Sequence, residues 1–378
     1  MAYIEKTQPT TNFPKGGWKA NHRGPDGKER SKTFQRKVDA QQWLNRVHGD
    51  LARGEYVDPR EARRLTLAAY AEQWMALQPW RESTRDSTAS GLRRILPTFG
   101  DRPVGSLRTS ELQAWAMALE ARLAPATVEG TVRLLKAIMA AAQEDRLIPR
   151  SPAAGVKLRR RDGSMLIPLT VAEVQSLAEA APPELYAAVI LTACTGLRQG
   201  ELFGLTADRV KWLRRELVVD RQLVTPNRGA PALGPCKTAR SVRTVPVVDH
   251  ALKALAQHVE RFGPGPDGLV FHRQGRTWPR SRAAEAFGRL ADRSAVEASG
   301  WHALRHHAAS ILISQGLNVT AVAAVLGHSP AECLKSYAGW WPNEDEQIRA
   351  AVTRAWNAAA ASSRPAAEAR AKAAGHRG

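Results

Sequence analysis

Six polar residues stand in an order that suits one reaction: Arg198, Lys237, His302, Arg305, His328 and Tyr337. A phosphoryl group in transfer carries negative charge on its non-bridging oxygens, and arginine forks bind such oxygens bidentately while staying charged at any working pH. Arg198 and Arg305 fit that clamp. A phenol with a pKa of about 10 is ionised in only about one molecule in a thousand at neutral pH, so Tyr337 needs neighbouring positive charge or a base before it can attack. The arginine pair and a histidine supply both. A lysine is protonated near neutral pH yet can give its proton to an alkoxide, which makes Lys237 the candidate acid for a departing sugar 5′ oxygen. His302 is placed as base or hydrogen-bond acceptor for the phenol, and His328 as a further donor to a phosphate oxygen. The set implies a phosphodiester and a nucleophile, with no metal.

Local patterns put these groups at helix ends and turns. Arg198 lies in Thr195-Gly196-Leu197-Arg198-Gln199-Gly200-Glu201-Leu202, after the apolar run Ala187 to Ala193. That reads as a helix end, a glycine turn with Arg198 on it, and a new helix. His302-Ala303-Leu304-Arg305-His306 opens a helical stretch in which His302 and Arg305 share a face while Leu304 points to the core. His306 and His307 read as a plain helix face. Leu326-Gly327-His328-Ser329-Pro330 ends one short helix and starts another, and Tyr337 follows nine positions after His328. Lys237 precedes a strand signal around Val242, Thr244 and Val245, which places it on a mobile hairpin tip. Arg240 and Arg243 beside it read as phosphate contacts or solvated charge.

Motifs in this order and spacing resemble those of the tyrosine recombinases, the phage integrase family, along almost the whole chain. The resemblance implies a transesterification without ATP, metal or other cofactor. A tyrosine attacks a DNA phosphate, leaving a 3′ phosphotyrosyl link and a free 5′ hydroxyl. Carried over, Arg198 and Arg305 are the clamp, Lys237 the general acid, His302 and His328 the supporting donors and Tyr337 the nucleophile. Glu201 matches the acidic position that orients such a site, its plain alternative being an ion pair with a neighbouring arginine. Two departures from the family pattern, Ala338-Gly339 where many members carry Ala-His, and Ala303 in place of a frequent acidic residue, remove no group that does chemistry.

The implied protein is a site-specific DNA recombinase of a phage or mobile element, performing integration and excision. Its implied partners are double-stranded DNA attachment sites of core and arm type and three further copies of itself in a homotetramer on DNA. A host DNA-bending protein and an excision factor are candidate accessories. A type IB topoisomerase uses a similar residue set on a single duplex, but the small size and an arm-like N-terminal module argue against it. A DNA-binding regulator with a dead site is opposed by the completeness of the set.

Charge and composition agree. The 378 residues carry a formal net charge of +19 with a pI near 10.5, as suits a polyanion bound through phosphate neutralisation and counterion release. The excess is spread over residues 1–58, 59–164 and 165–378 as +4, +7 and +8. No run of 18 apolar residues and no secretory pattern occurs, so no membrane role is expected and a cytoplasmic place on the DNA of a bacterial host is. Cys194, Cys236 and Cys333 lack metal-ligand spacing and read as reduced packing residues.

The elements that must position the six residues fall into a multidomain, mainly α chain. Residues 1–58 read as an arm-type DNA-binding module: a β-hairpin turning at Gly24-Pro25-Asp26-Gly27, then a helix capped by Asp39 with Trp43, Leu44, Val47 and Leu51 on its apolar face. Arg23, Lys28, Arg30 and Lys32 on the hairpin are candidate DNA contacts. Residues 65–155 show four amphipathic helices, with a capping box of Ser110 and Gln113 and a helix start at Pro125, read as a core-binding bundle. Residues 156–164 form a basic linker whose Lys157, Arg159, Arg160 and Arg161 are candidate phosphate contacts. Residues 165–360 read as an α-rich catalytic domain with a small antiparallel sheet, and 361–378 as a disordered tail. Ile348, Val352 and Trp356 recur every four residues as an apolar stripe that packs on its own domain or, as the resemblance implies, in trans on a neighbouring protomer.

Overall fold

A computed structural model describes residues 2–54, 56–159, 167–226, 229–341, 349 and 352–357. The chain divides into two compact units, 1–162 and 163–378.

The first unit begins with a three-stranded antiparallel sheet, β1 (Tyr3–Thr7), β2 (Gly17–Arg23) and β3 (Glu29–Phe34), in that order. Helix α1 (Lys37–Ala52) covers it and buries Ala40 and Leu44 against Ala20, with Trp18, Phe34 and Trp43 around them. The N-cap is Arg36, not Asp39, whose carboxylate lies in the first turn and accepts from the Arg36 side chain at 3.0 Å. Strand β1 was not expected. Its partners Glu5 and Lys19 face each other across the pair with an ion pair of 3.4 Å, a pattern too polar to announce a strand.

Register changes the reading of the basic hairpin. Arg30 stands opposite His22 and Lys32 opposite Ala20, and both partners are buried on the side that α1 covers. Directly opposite residues share a face, so Arg30 and Lys32 belong to the helix side. Arg30 is engaged there by ion pairs to Asp26 at 2.5 Å and Asp58 at 2.7 Å. Arg23, Lys28 and Lys32 remain exposed.

Beyond α2 (Pro59–Arg64), the bundle consists of α3 (Leu67–Ala76), α4 (Glu82–Phe99), α5 (Thr109–Glu120) and α6 (Pro125–Glu144). Leu67, Ile95, Leu112, Leu135, Ile138 and Met139 are almost wholly buried between them. Truncating one such side chain to alanine costs roughly 2–5 kcal/mol. The expected box of Ser110 and Gln113 is replaced by Glu111, whose carboxylate accepts from the Arg108 amide at 3.2 Å and from Arg102 at 3.0 Å. Gln113 instead pins the start of the linker, donating to the Lys157 carbonyl and accepting from its amide, both at 2.8 Å. The Lys157 and Arg159 side chains stay exposed, and Arg160 and Arg161 lie outside the described residues.

The second unit is built around α8 (Pro183–Thr195), which runs between α7 (Val171–Glu179), α10 (Asp249–Phe262) and α12 (Trp301–Ser314). Residues Ala187 to Leu191 are buried in sequence, which is why this run shows no helical periodicity. The Thr192 and Thr195 hydroxyls, also buried, bond back to the carbonyls of Ala188 and Leu191. After the short α9 (Gln199–Phe203), β4 (Val210–Lys211), β5 (Glu216–Val219) and β8 (Arg243–Pro246) form an antiparallel sheet, and β6 (Arg221–Val224) pairs with β7 (Ala232–Pro235) as a separate hairpin. Helices α11 (Arg280–Ser294), α13 (Val319–Leu326) and α14 (Pro330–Tyr337) complete the unit. No described helix is long and apolar enough to cross a membrane. Of the cysteines, Cys236 and Cys333 are buried and Cys194 is exposed. Ile348 and residues 358–378 lie outside the described residues, while Val352 and Trp356 sit on a helical turn with Trp356 74% exposed.

Candidate active site

Two helices end at glycines with left-handed backbones, α8 at Gly196 (φ 66°) and α13 at Gly327 (φ 65°). Side chains rarely adopt that conformation, and a Cβ at Gly196 would sit 2.5 Å from Leu326 Cδ2. The glycines let the two ends converge, and the last carbonyls of a helix lack partners within it. Arginines supply them. Arg305 donates from Nη1 to the Gly196 carbonyl at 2.6 Å and from Nη2 to the Leu326 carbonyl at 2.7 Å, and Arg198 donates from Nη2 to the Gly327 carbonyl at 2.9 Å. The negative ends of two helix dipoles thereby offset the repulsion between two guanidinium groups.

Arg198 itself opens α9, and three residues on, the buried Glu201 accepts from its Nη1 at 2.8 Å and its amide at 3.0 Å. Glu201 therefore pairs with arginine, as its plainer reading had it, and fixes the Arg198 side chain and amide together. Its second partner was misread. Arg243, expected as a phosphate contact or solvated charge, has a side chain only 7% exposed and bonds Glu201 through Nη2 at 2.9 Å and Nη1 at 3.2 Å while its Nε donates to the Val325 carbonyl. Burial alone would raise the Glu201 carboxyl, but Arg243 and Arg198 outweigh it and hold the group below the usual carboxylate range. Burial and Arg198 lower Arg305 to about 10, leaving it protonated at neutral pH.

Arg305 is 0% exposed; its Nη1 and Nη2 both make hydrogen bonds, and its Nε is buried without a partner among the described residues. Its Nη2 also meets His328 Nε2 at 2.7 Å, so the histidine must accept there and carry its proton on Nδ1. Burial, then Arg305, pushes His328 down to about 3, so the ring is neutral. His328 Nδ1 is likewise buried without a partner. Two buried N–H donors beside a clamp of positive charge suit an oxyanion, since buried polar groups otherwise find partners within the fold.

Tyr337, at the end of α14, is 2% exposed and lies between His328, with ring centroids 6.2 Å apart, and Trp340, at 4.9 Å. Burial raises its pKa, with Arg305 acting in the opposite direction. The histidine at its hydroxyl is not His302 but His306, whose Nδ1 is 3.1 Å away. His302 is exposed and meets His306 edge-on with centroids 5.0 Å apart. The signal was present: His302 and His306 are four apart, so they share a helix face as His302 and Arg305 do. His307 is a packing residue bonded to the Leu169 carbonyl at 2.7 Å.

Lys237 is the member that the fold does not draw in. It lies two residues past β7, at the base of the β6–β7 hairpin rather than its tip, and is exposed, as is Arg240. Among the described residues no group of three His, Cys, Asp or Glu side chains is arranged to hold a metal ion.

Residues 168–340 match the phage integrase family, residues 10–53 the phage integrase N-terminal domain and residues 67–159 the phage integrase central domain. The prophage phiRv2 integrase of Mycobacterium tuberculosis is 28% identical over 357 residues, 90% of this chain and 94% of that protein. The integrase of Mycobacterium phage L5 is 25% identical over 342 residues, 85% of this chain and 90% of the phage protein. Among solved structures, the Tn1549 transposon integrase in complex with a circular intermediate DNA superposes with a TM-score of 0.67 at 24% identity, covering 77% of this chain and 99% of that one. A lambda integrase tetramer bound to a Holliday junction gives 0.54 at 18% identity, over 83% and 91%. The chain belongs to the phage integrase family of tyrosine recombinases. Its activity is that of a site-specific DNA recombinase, an enzyme that breaks and rejoins DNA strands.

Proposed function

We propose that Tyr337 attacks a scissile DNA phosphate held by Arg198, Arg305 Nε and His328 Nδ1, and that Lys237 protonates the departing 5′ oxygen. The observation that carries this is the pair of buried, unpartnered donors on Arg305 and His328 beside the Tyr337 ring. Charge accumulating on the phosphate in the transition state meets donors already in place, and such preorganised donors are worth about 3–4 kcal/mol each. The exposed Lys237 completes the acid side only when DNA lies against it, which brings the proton donor to the leaving oxygen. With Tyr337 buried in the free protein, DNA binding must also open a path to its hydroxyl. His302, exposed beside the clamp, is a donor to the phosphate rather than a base for the phenol.

Core-type sites are bound by the helical bundle with the catalytic unit, and arm-type sites by the N-terminal sheet through Arg23, Lys28 and Lys32. Lys157, Arg159 and Arg240 are left as exposed phosphate contacts. The exposed Val352 and Trp356 turn docks on a neighbouring protomer and links four subunits around two duplexes. Incubating two separately labelled duplexes that carry candidate attachment sites tests the reading. Joined products trapped with a protein–DNA adduct at Tyr337 support it, and relaxation of supercoiled DNA without joined products would assign the site to topoisomerase chemistry.

A further inference from the structure

Three histidines crowd the nucleophile, and only one touches it. His306 Nδ1 lies 3.1 Å from the Tyr337 hydroxyl, while His328 presents its ring face to the phenol and His302 reaches only the His306 ring. His306 also lines a cavity of about 390 Å³ whose other walls are Ile167, Leu169, Glu297, Ala298, Ser299 and Ala303. None of these belongs to the phosphate clamp. One imidazole thus joins the reacting oxygen to a compartment with room for several waters.

We infer that His306 is a catalytic residue, the general base that takes the Tyr337 proton and passes it into this cavity, away from the DNA. In the step, the Tyr337 O–H proton moves to His306 Nδ1 as the phenol oxygen forms its bond to phosphorus. The P–O5′ bond breaks and Lys237 protonates the 5′ oxygen. The proton on His306 Nε2 leaves to water in the cavity, and rejoining reverses each transfer. A base must be unprotonated before the reaction, and burial, then His302 and Arg305, holds His306 down to about 4. The groups facing it are His302 and Arg305 on its own helix and Tyr337 from α14, and Glu297 lines the same cavity. The inference rests on Tyr337 as nucleophile.

The test is the rate of covalent adduct formation by the full chain on an attachment-site duplex, from about pH 6 to 9, for wild type, His306→Ala and His306→Gln. General-base assistance contributes about 10²–10⁴-fold, so both variants should be slowed by at least about 10²-fold while binding DNA normally. Their rates should climb with pH as hydroxide replaces the missing base, against a flatter wild-type profile. Imidazole added to His306→Ala, where the deleted ring leaves space, should restore part of the rate. Wild-type rate and profile in His306→Gln, which keeps a hydrogen-bond acceptor but cannot carry the proton, would reduce His306 to positioning and overturn the inference. A folded, DNA-binding His306→Ala that reacts at the wild-type rate overturns it too. Absence of any adduct at Tyr337 in the wild type defeats instead the underlying reading of the nucleophile.

Discussion

Arg243 and Glu201 form a two-bond ion pair, at 2.9 and 3.2 Å, with both side chains almost wholly withdrawn from water. Glu201 in turn holds Arg198, so Arg243 bears on the position of a residue proposed to meet the phosphate. Removing one partner of a buried pair strands the other charge at a cost of roughly 3–5 kcal/mol. Arg243→Ala should therefore lower the unfolding free energy by about that amount and reduce strand cleavage as well. Arg243→Met, removing the charge but keeping bulk, should be similarly destabilising and is checked by the same denaturant titration. A variant as stable as wild type would show that Arg198 alone satisfies Glu201.

The same carboxylate gives a pH dependence. Its folded pKa is depressed, so its contribution is present above the usual carboxylate pKa and lost as pH falls through the lower folded value. Wild type should lose stability relative to Glu201→Gln on acidification from about pH 5 to 3. Parallel melting curves for the two proteins across that range would contradict the coupling.

Tyr337→Phe should retain attachment-site binding and abolish the covalent adduct. The phenol's hydrogen bond to His306 is also lost, and a typical bond contributes about 1 kcal/mol, so the variant should melt slightly lower. An adduct at wild-type yield would remove Tyr337 from the reaction.

Lys237→Ala should be strongly slowed on ordinary DNA and recover on a substrate with sulfur at the 5′ bridging position, which leaves without a proton. Equal slowing on both substrates would make Lys237 a binding residue. Its exposure predicts no change in the melting temperature in either case.

Val352→Asp with Trp356→Asp should leave the free protein's stability unchanged, since Trp356 is 74% exposed, yet prevent pairing of two attachment-site duplexes. Single-site binding should persist. Normal synapsis by the double variant, seen on native gels, would exclude this turn as the link between subunits.

The helical members of the set were legible because glycine, proline and apolar runs mark the helix ends near them, as at Gly196, Gly327 and Pro330. Arg243 was not. Its strand reads as alternating and solvated, and only the fold brings α13 and Glu201 over it to make it an internal residue. Arg30 failed in the same way, because cross-strand register and two distant aspartates decide which face a basic residue takes. His306 was passed over for a different reason. Its partner lies 31 residues away in sequence, and although the four-residue spacing from His302 puts His306 on the same helix face, only the fold brings Tyr337 to it. Lys237 was misplaced because the β6–β7 hairpin, with its glycine and proline content, hid where the strands begin.

Arg305 holds the ends of α8 and α13 with the same guanidinium proposed to face the phosphate, whereas the exposed Lys237 makes no hydrogen bond or ion pair among the described residues. A lineage of such chains that ceased to recombine DNA would still be bound to keep the arginine, for the sake of folding alone. The lysine carries no such second duty and is free to drift. Of the two positions, it is therefore the lysine whose substitution, on the proposed roles, marks a retired enzyme, and retention of the arginine says only that the domain still folds.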